Sequence, residues 1–244
     1  MTDINWDITV ANTLPSTQDV AKVKAAENAP EGTVIQAMSQ SAGRGRQGNE
    51  WTSPMGNLYM SLILRPMCPP DLAGQISFVT GLALSAAMTP YVTGDHKKTL
   101  KWPNDILIDG KKCAGILLES NLSSEGLVES LVIGMGVNIH AAPEDRIGLQ
   151  QVAGEHRLAV HRFRDEVLVS LAQYYRGWKA AGFEPARREW LAQAHGLNHK
   201  ISARLPDRTV KGVFRDIDPA GALMLEEEPG KTIAIRAGEV YFGA

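Results

Sequence analysis

Two short stretches hold the residues best suited to chemistry. In "SQSAGRGRQGNEW", residues 39–51, Arg44 and Arg46 stand among Gly43, Gly45 and Gly48, and the loop closes on Trp51. Glycine admits positive φ and lets a ligand approach the backbone, while arginine supplies planar, permanently charged donors, so the loop suits a phosphate. A mobile surface loop, or an arginine-glycine segment that touches RNA, fits the same residues. The glycine spacing matches neither the GxxxxGK phosphate loop nor the dinucleotide fingerprint, which argues against a P-loop enzyme and a Rossmann dehydrogenase. In "LKWPNDILIDGKKCAGILLES", Lys101 precedes Trp102 and Pro103, and the fixed φ of proline presents the lysine on a rigid corner at a strand end. A surface lysine paired with a carboxylate reads the same way. Asn104 and Asp105 could cap that turn, hold a metal ion or meet a polar group of a substrate.

Composition narrows the classes. The chain has 244 residues, 44% of them hydrophobic, and a formal net charge of −2, so it can bury a core but has no global positive field for a polyanion. Any anion must be met locally. Cys68 and Cys113 lack metal-type spacing and suit a reducing, cytoplasmic compartment. His140, His156, His161, His195 and His199 likewise form no ligand pattern. The acidic start "MTDINWDITV" does not read as a signal peptide, and no segment is expected to reach the roughly 20 apolar residues of a membrane span.

The elements that must position these residues follow from periodicity. "LPSTQDVAKVKAAEN" reads as a helix capped by Ser16, whose hydroxyl would meet the amide of Asp19. "TVIQAMSQ" reads as a strand, and "NLYMSLILRP" as a second strand with Leu58, Met60, Leu62 and Leu64 on one buried face. The glycine-arginine loop links the two. Residues 75–92 fit a buried helix ended or bent at Pro90. "TLKWPNDILIDG", "KKCAGILLES" and "SLVIGMGVNIH" read as three sheet strands, the first two joined by a hairpin turn at "DGKK". Residues 160–194 predict two helices broken near Gly182. Beyond residue 196, "KISARL", "TVKGVFRDI", "ALMLEEE" and "TIAIRAGEVYF", punctuated by "PD", "DPAG" and "EPGK", predict a small antiparallel barrel. The expected organisation is an α+β domain over residues 1–195 followed by the barrel over 196–244.

The chain resembles the biotin protein ligases. The resemblance rests on "STQD" at 16–19, "QSAGRGRQGNEW" at 40–51, "GNLYMSLILRP" at 56–66, "KWPNDI" at 101–106, "KKCAGILLE" at 111–119 and "VIGMGVNI" at 132–139, in that order. It implies a mixed central sheet with flanking helices, like that of biotin synthetases and class II aminoacyl-tRNA synthetases, and an SH3-like C-terminal barrel. It implies an AMP-forming ligase that uses ATP, biotin and Mg2+ to make biotinyl-5′-adenylate. Biotin would then pass to a lysine of a biotin carboxyl carrier protein, by a monomer or weak homodimer.

By the same resemblance Ser16, Thr17, Gln18 and Gln40 would bind the ureido ring. Arg44, Gly45 and Arg46 would wrap the biotin carboxylate and the adenylate phosphate, with Gly43 among the biotin-binding residues. Lys101 would contact the acyl-phosphate region, Gly115 would let the ligand lie against a strand, Lys112 would be a second cation near the nucleotide, Trp51 would close over the ligand, and Asn104 and Asp105, beside the adenylate, would organise magnesium or the incoming lysine. Gln47 and Asn49 stand where relatives often carry arginines, so the loop has fewer cations. Some family members add an N-terminal helix-turn-helix domain; here the pattern begins near residue 16, and neither DNA nor membrane is expected as a partner. The alternatives are a lipoate or octanoate ligase, whose pocket needs no ureido partners, and a non-catalytic vitamin- or nucleotide-binding module.

Overall fold

A computed structural model describes residues 4–205, 208–236 and 238–242. Its larger sheet has seven strands in the order β1-β2-β3-β7-β6-β5-β4. These are β1 (Asp7–Leu14), β2 (Thr33–Gln40), β3 (Leu58–Leu64), β4 (Lys98–Lys101), β5 (Asp105–Ile108), β6 (Lys111–Leu122) and β7 (Val128–Val137). β1 runs parallel to β2 through the crossover helix α1 (Thr17–Ala26), and every other pairing is antiparallel, so the sheet is mixed.

One sheet face packs on α2 (Pro70–Gly74), α3 (Ile76–Met88), α4 (Val160–Ala181) and α5 (Glu184–Ala192), with Met60, Leu62, Ile116 and Ile133 in the shared core. The other face meets α1 through Ala21, Ala25, Ile35, Ile63 and Val132. β3 is therefore buried on both faces, all seven residues of it, and not on one as its alternation suggests. Alternation marks which side chains share a face; it does not tell whether a helix covers the other face.

Ser16 stands at the N-cap of α1 with extended backbone, but its side chain makes no capping bond. The run "TLKWPNDILIDG" is two strands, β4 and β5, folded at Trp102-Pro103-Asn104, where the Trp102–Pro103 peptide is cis. Asp109 and Gly110, both at positive φ, make the tight β5–β6 turn. α4 and α5 break at Gly182, φ 72°. The run Pro70–Tyr91 is long and apolar enough to cross a membrane, contrary to the expectation that no segment is; most of it is buried against the sheet and α4.

The second sheet has five antiparallel strands in the order β11-β10-β9-β8-β12: β8 (Lys200–Arg204), β9 (Thr209–Ile217), β10 (Leu223–Glu228), β11 (Lys231–Ile235) and β12 (Glu239–Phe242). The last predicted run is thus two strands on opposite edges. The turn expected at Pro206 and Asp207 lies outside the described residues.

Candidate active site

The register of β3, β7 and β6 builds a floor without side chains. Gly115 lies opposite Gly136, and Gly134 lies opposite Leu117 and Ser61, so three glycines open one face of the sheet beside α1. A Cβ on Gly136 would stand 2.6 Å from the Trp51 ring, and one on Gly134 2.5 Å from the Gln18 side-chain oxygen. The hollow is part of a cavity of about 510 Å³.

One end of the cavity is polar and tightly wired. The Gln40 side-chain oxygen accepts from the Thr17 backbone N–H at 2.8 Å and from its hydroxyl at 3.2 Å. The Gln40 amide donates to Ser53 Oγ at 2.9 Å. Thr17 and Ser61 hydroxyls are 2.9 Å apart, and Ser61 donates to Gln18 Oε1 at 3.0 Å. Ser16, Thr17, Gln18 and Gln40 all line this end. Gly43 does not; a Cβ there would collide with Trp51, Ser53 and Gln40, so it lets the loop pass close behind them. Of the loop glycines only Gly48 has positive φ.

Cations ring the rest. Arg44, Gly45 and Arg46 come from the loop after β2, Lys101 from the end of β4, and Lys112 from β6. Arg44 Nη2 donates to Asp19 at 2.6 Å and Glu119 at 3.1 Å. Arg46 donates to Asn104 Oδ1 at 3.1 Å, while Asn104 Nδ2 donates to the Ile116 carbonyl at 2.6 Å. Lys112 pairs with Asp105 at 2.7 Å. Burial pulls the Lys101 pKa below its ordinary value, Asp105 and Glu239 opposing and Lys112 reinforcing the shift. Burial lowers that of Arg46 too, against Asp105 and Glu239; a guanidinium remains charged regardless.

Trp51, 7% exposed, lies on Gly115 and Gly136, and its Nε1 has no hydrogen-bond partner among the described residues. Lys112 Nζ and the Arg146 guanidinium sit 5.2 and 4.9 Å from its ring centroid.

The cavity also takes Ser61, Gly134, Gly136, Arg146, Glu239 and Tyr241, which residue-type reasoning did not single out. A serine in the otherwise apolar β3, and glycines two apart in β7, were visible signals. Arg146, Glu239 and Tyr241 carried none, because tertiary packing alone brings them here. Glu239 accepts from Asn49 at 3.3 Å and from the Tyr241 hydroxyl at 2.6 Å, and Lys101 Nζ lies 5.8 Å from the Tyr241 ring.

Comparison with known proteins agrees with this arrangement. Residues 196–243 match the profile of the biotin protein ligase C terminal domain. The chain is 38% identical over 218 residues to the biotin–[acetyl-CoA-carboxylase] ligase of Paracoccus denitrificans, covering 86% of this chain and 90% of that one. It is 36% identical over 226 residues to the bifunctional ligase/repressor of Bacillus subtilis, covering 89% and 68%. The solved biotin protein ligase of Aquifex aeolicus in complex with biotin and ATP superposes with a TM-score of 0.81 at 26% identity, covering 96% of this chain and 97% of that one. With residues 10–138 also matching its profile, the chain belongs to the biotin/lipoate A/B protein ligase family.

Proposed function

We propose that this chain is an ATP-dependent biotin–protein ligase, which forms biotinyl-5′-adenylate and passes biotin to a lysine of a biotin carboxyl carrier protein. The observation that carries this reading is the convergence of Arg44, Arg46 and Lys101, from separate segments, on one glycine-floored cavity. In the first step a biotin carboxylate oxygen attacks the α-phosphorus of ATP and pyrophosphate leaves. Both reactants are anions. The three cations offset their repulsion and the charge that grows on phosphorus. The substrate supplies the nucleophile, so the protein's part is positioning and electrostatics.

The Thr17, Gln18, Gln40 and Ser61 end offers the matched donors and acceptors that a ureido ring needs, with Ser16 beside them. A buried site of that kind discriminates strongly against acids lacking those groups. Gly45 and Gly115 give the ligand backbone to lie on, Gly43 shapes the loop, and Trp51 and Lys112 attend the nucleotide. Asn104 holds Arg46 at the cavity, and Asp105 holds Lys112.

Mg2+ enters with the nucleotide. Among the described residues no group of three or more His, Cys, Asp or Glu side chains is placed to hold a metal, and nucleotide-bound Mg2+ takes most of its ligands from phosphate and water. In the second step the carrier lysine, as free amine, attacks the acyl carbon, AMP leaves and the amine loses a proton. Residues 1–195 form the biotin- and ATP-binding domain and 196–244 the SH3-like domain. The use of ATP, with Cys68 and Cys113 unpaired, fits a cytoplasmic setting.

The test is transfer itself. A carrier domain incubated with the protein, biotin and MgATP should gain one biotinyl group by mass spectrometry, and a carrier with its acceptor lysine changed to arginine should gain none. Labelling with lipoate but not biotin would transfer the assignment to the lipoate branch.

A further inference from the structure

The corner that carries Lys101 is held from the C-terminal sheet. Trp102 is buried, and its indole N–H donates to the Gly221 carbonyl at 2.9 Å. Gly221 belongs to the turn between β9 and β10. That turn is braced by Asp218, whose carboxylate accepts from the backbone N–H groups of Ala220 and Ala222, both at 2.8 Å. The turn is also fitted to the larger domain: Gly221 has φ +87° and a Cβ there would lie 2.6 Å from the Phe78 ring, while Gln75 donates to the Pro219 carbonyl at 2.9 Å. Tyr241 of β12 also lies near this corner, its ring centroid 5.8 Å from Lys101 Nζ.

We propose that Trp102 is a positioning residue through which the β9–β10 turn holds Lys101 at the cavity, so that the C-terminal sheet takes part in adenylate formation as well as in any contact with the carrier. The inference rests on the ligase reading above. A lysine that must meet charge on a reacting phosphate tolerates little displacement, and misplacement by about 1 Å can lower a rate by about a hundredfold. The indole is rigid and adjacent in sequence to Lys101, so a shift of the turn is passed directly to the lysine's backbone.

The test is biotin-dependent ATP–pyrophosphate exchange by the full chain, wild type against Trp102→Phe, which keeps a ring and removes the donor. The expected result is a fall in kcat of about tenfold or more, with the biotin KM within about twofold because the ureido end is untouched. The alkaline limb of kcat should also move up toward the ordinary lysine value as Lys101 gains solvent, a change that a general loss of stability does not produce. Tyr91→Phe is the control. It removes the hydroxyl that Tyr91 donates to Glu166 at 2.9 Å, remote from the cavity and from the β9–β10 turn, and should lower Tm while leaving kcat alone. If Trp102→Phe does not fold, Asp218→Ala, which loosens the turn away from the cavity, carries the same comparison. A Trp102→Phe or Asp218→Ala enzyme with wild-type kcat overturns the proposal, as does an equal loss in folded Tyr91→Phe. Absence of exchange in the wild type overturns the ligase reading itself, a separate and distinguishable result.

Discussion

Arg46 reaches across from the loop after β2 to donate to Asn104, in the turn after β4, at 3.1 Å, and Asn104 is itself tied to the Ile116 carbonyl of β6. Two cation-bearing segments are thereby registered against one strand. Arg46→Ala should lower the adenylation kcat by on the order of 10². Asn104→Ala should lower it by about tenfold, and the double variant by less than the product, with a coupling of about 0.5–3 kcal/mol. Additive effects in a double-mutant cycle would mean that Asn104 does not position Arg46.

The glycine floor predicts a sorting of substrates by position. Gly134→Ala drives a methyl into the Gln18 amide, which is held by Ser61 and by the Val132 carbonyl and cannot retreat. The biotin KM should rise by about tenfold or more, as expected for a misplaced buried polar group. Gly136→Ala meets Trp51 and should raise the ATP KM instead. Gly115→Ala, whose neighbours at 3.1–3.3 Å include the flexible end of Lys112, should be the mildest of the three. Steady-state kinetics in each substrate checks the order.

Lys101 gives the sign of a pH effect. Burial lowers its pKa, so the cation that the proposed first step uses is lost at a lower pH than for a solvated lysine. The exchange kcat should fall on the alkaline side below the ordinary lysine pKa, and Lys101→Arg, permanently charged, should keep whatever activity it has across that range. A profile with the same alkaline limb in both proteins would assign the titration to another group.

Lys98 predicts a stability effect away from the site. It is half-buried, donating to the Ser85 carbonyl and the Thr89 hydroxyl, and desolvation pulls its pKa from 10.5 to about 8. Between those values the folded chain binds fewer protons at this position than the unfolded chain, so stability contributed here rises with pH from about 8 to 10.5; below about 8 both states are charged and the full burial penalty remains. Thermal melts of wild type and Lys98→Met should therefore converge or cross as pH rises through this window. A constant difference between them would contradict the assignment.

Much of this architecture was legible in residue order. β2 ends where the glycine-arginine loop begins because hydrophobic alternation gives way to residues that favour loops, and Gly182 separates α4 from α5 because it adopts positive φ. Cations at Arg44, Arg46, Lys101 and Lys112 could be picked out by type. What could not be read was depth and distance. Both faces of β3 are covered because α1 folds back across the sheet, and Glu239 and Tyr241 reach the cavity only because β12 pairs with β8 on the edge of the second sheet that faces the larger domain. Ser16 had the right type for a cap, yet it is buried at the polar end of the cavity and makes no side-chain capping bond.

The joint part proposed for Arg44, Arg46 and Lys101, bringing a biotin carboxylate to the α-phosphate of ATP, is tested by pyrophosphate exchange in wild type and Lys101→Ala. Exchange should require biotin and not be supported by lipoate, and the variant, with its fold intact, should lose on the order of 10² in kcat. Exchange that proceeds equally without biotin, or unchanged without the lysine's charge, would contradict it.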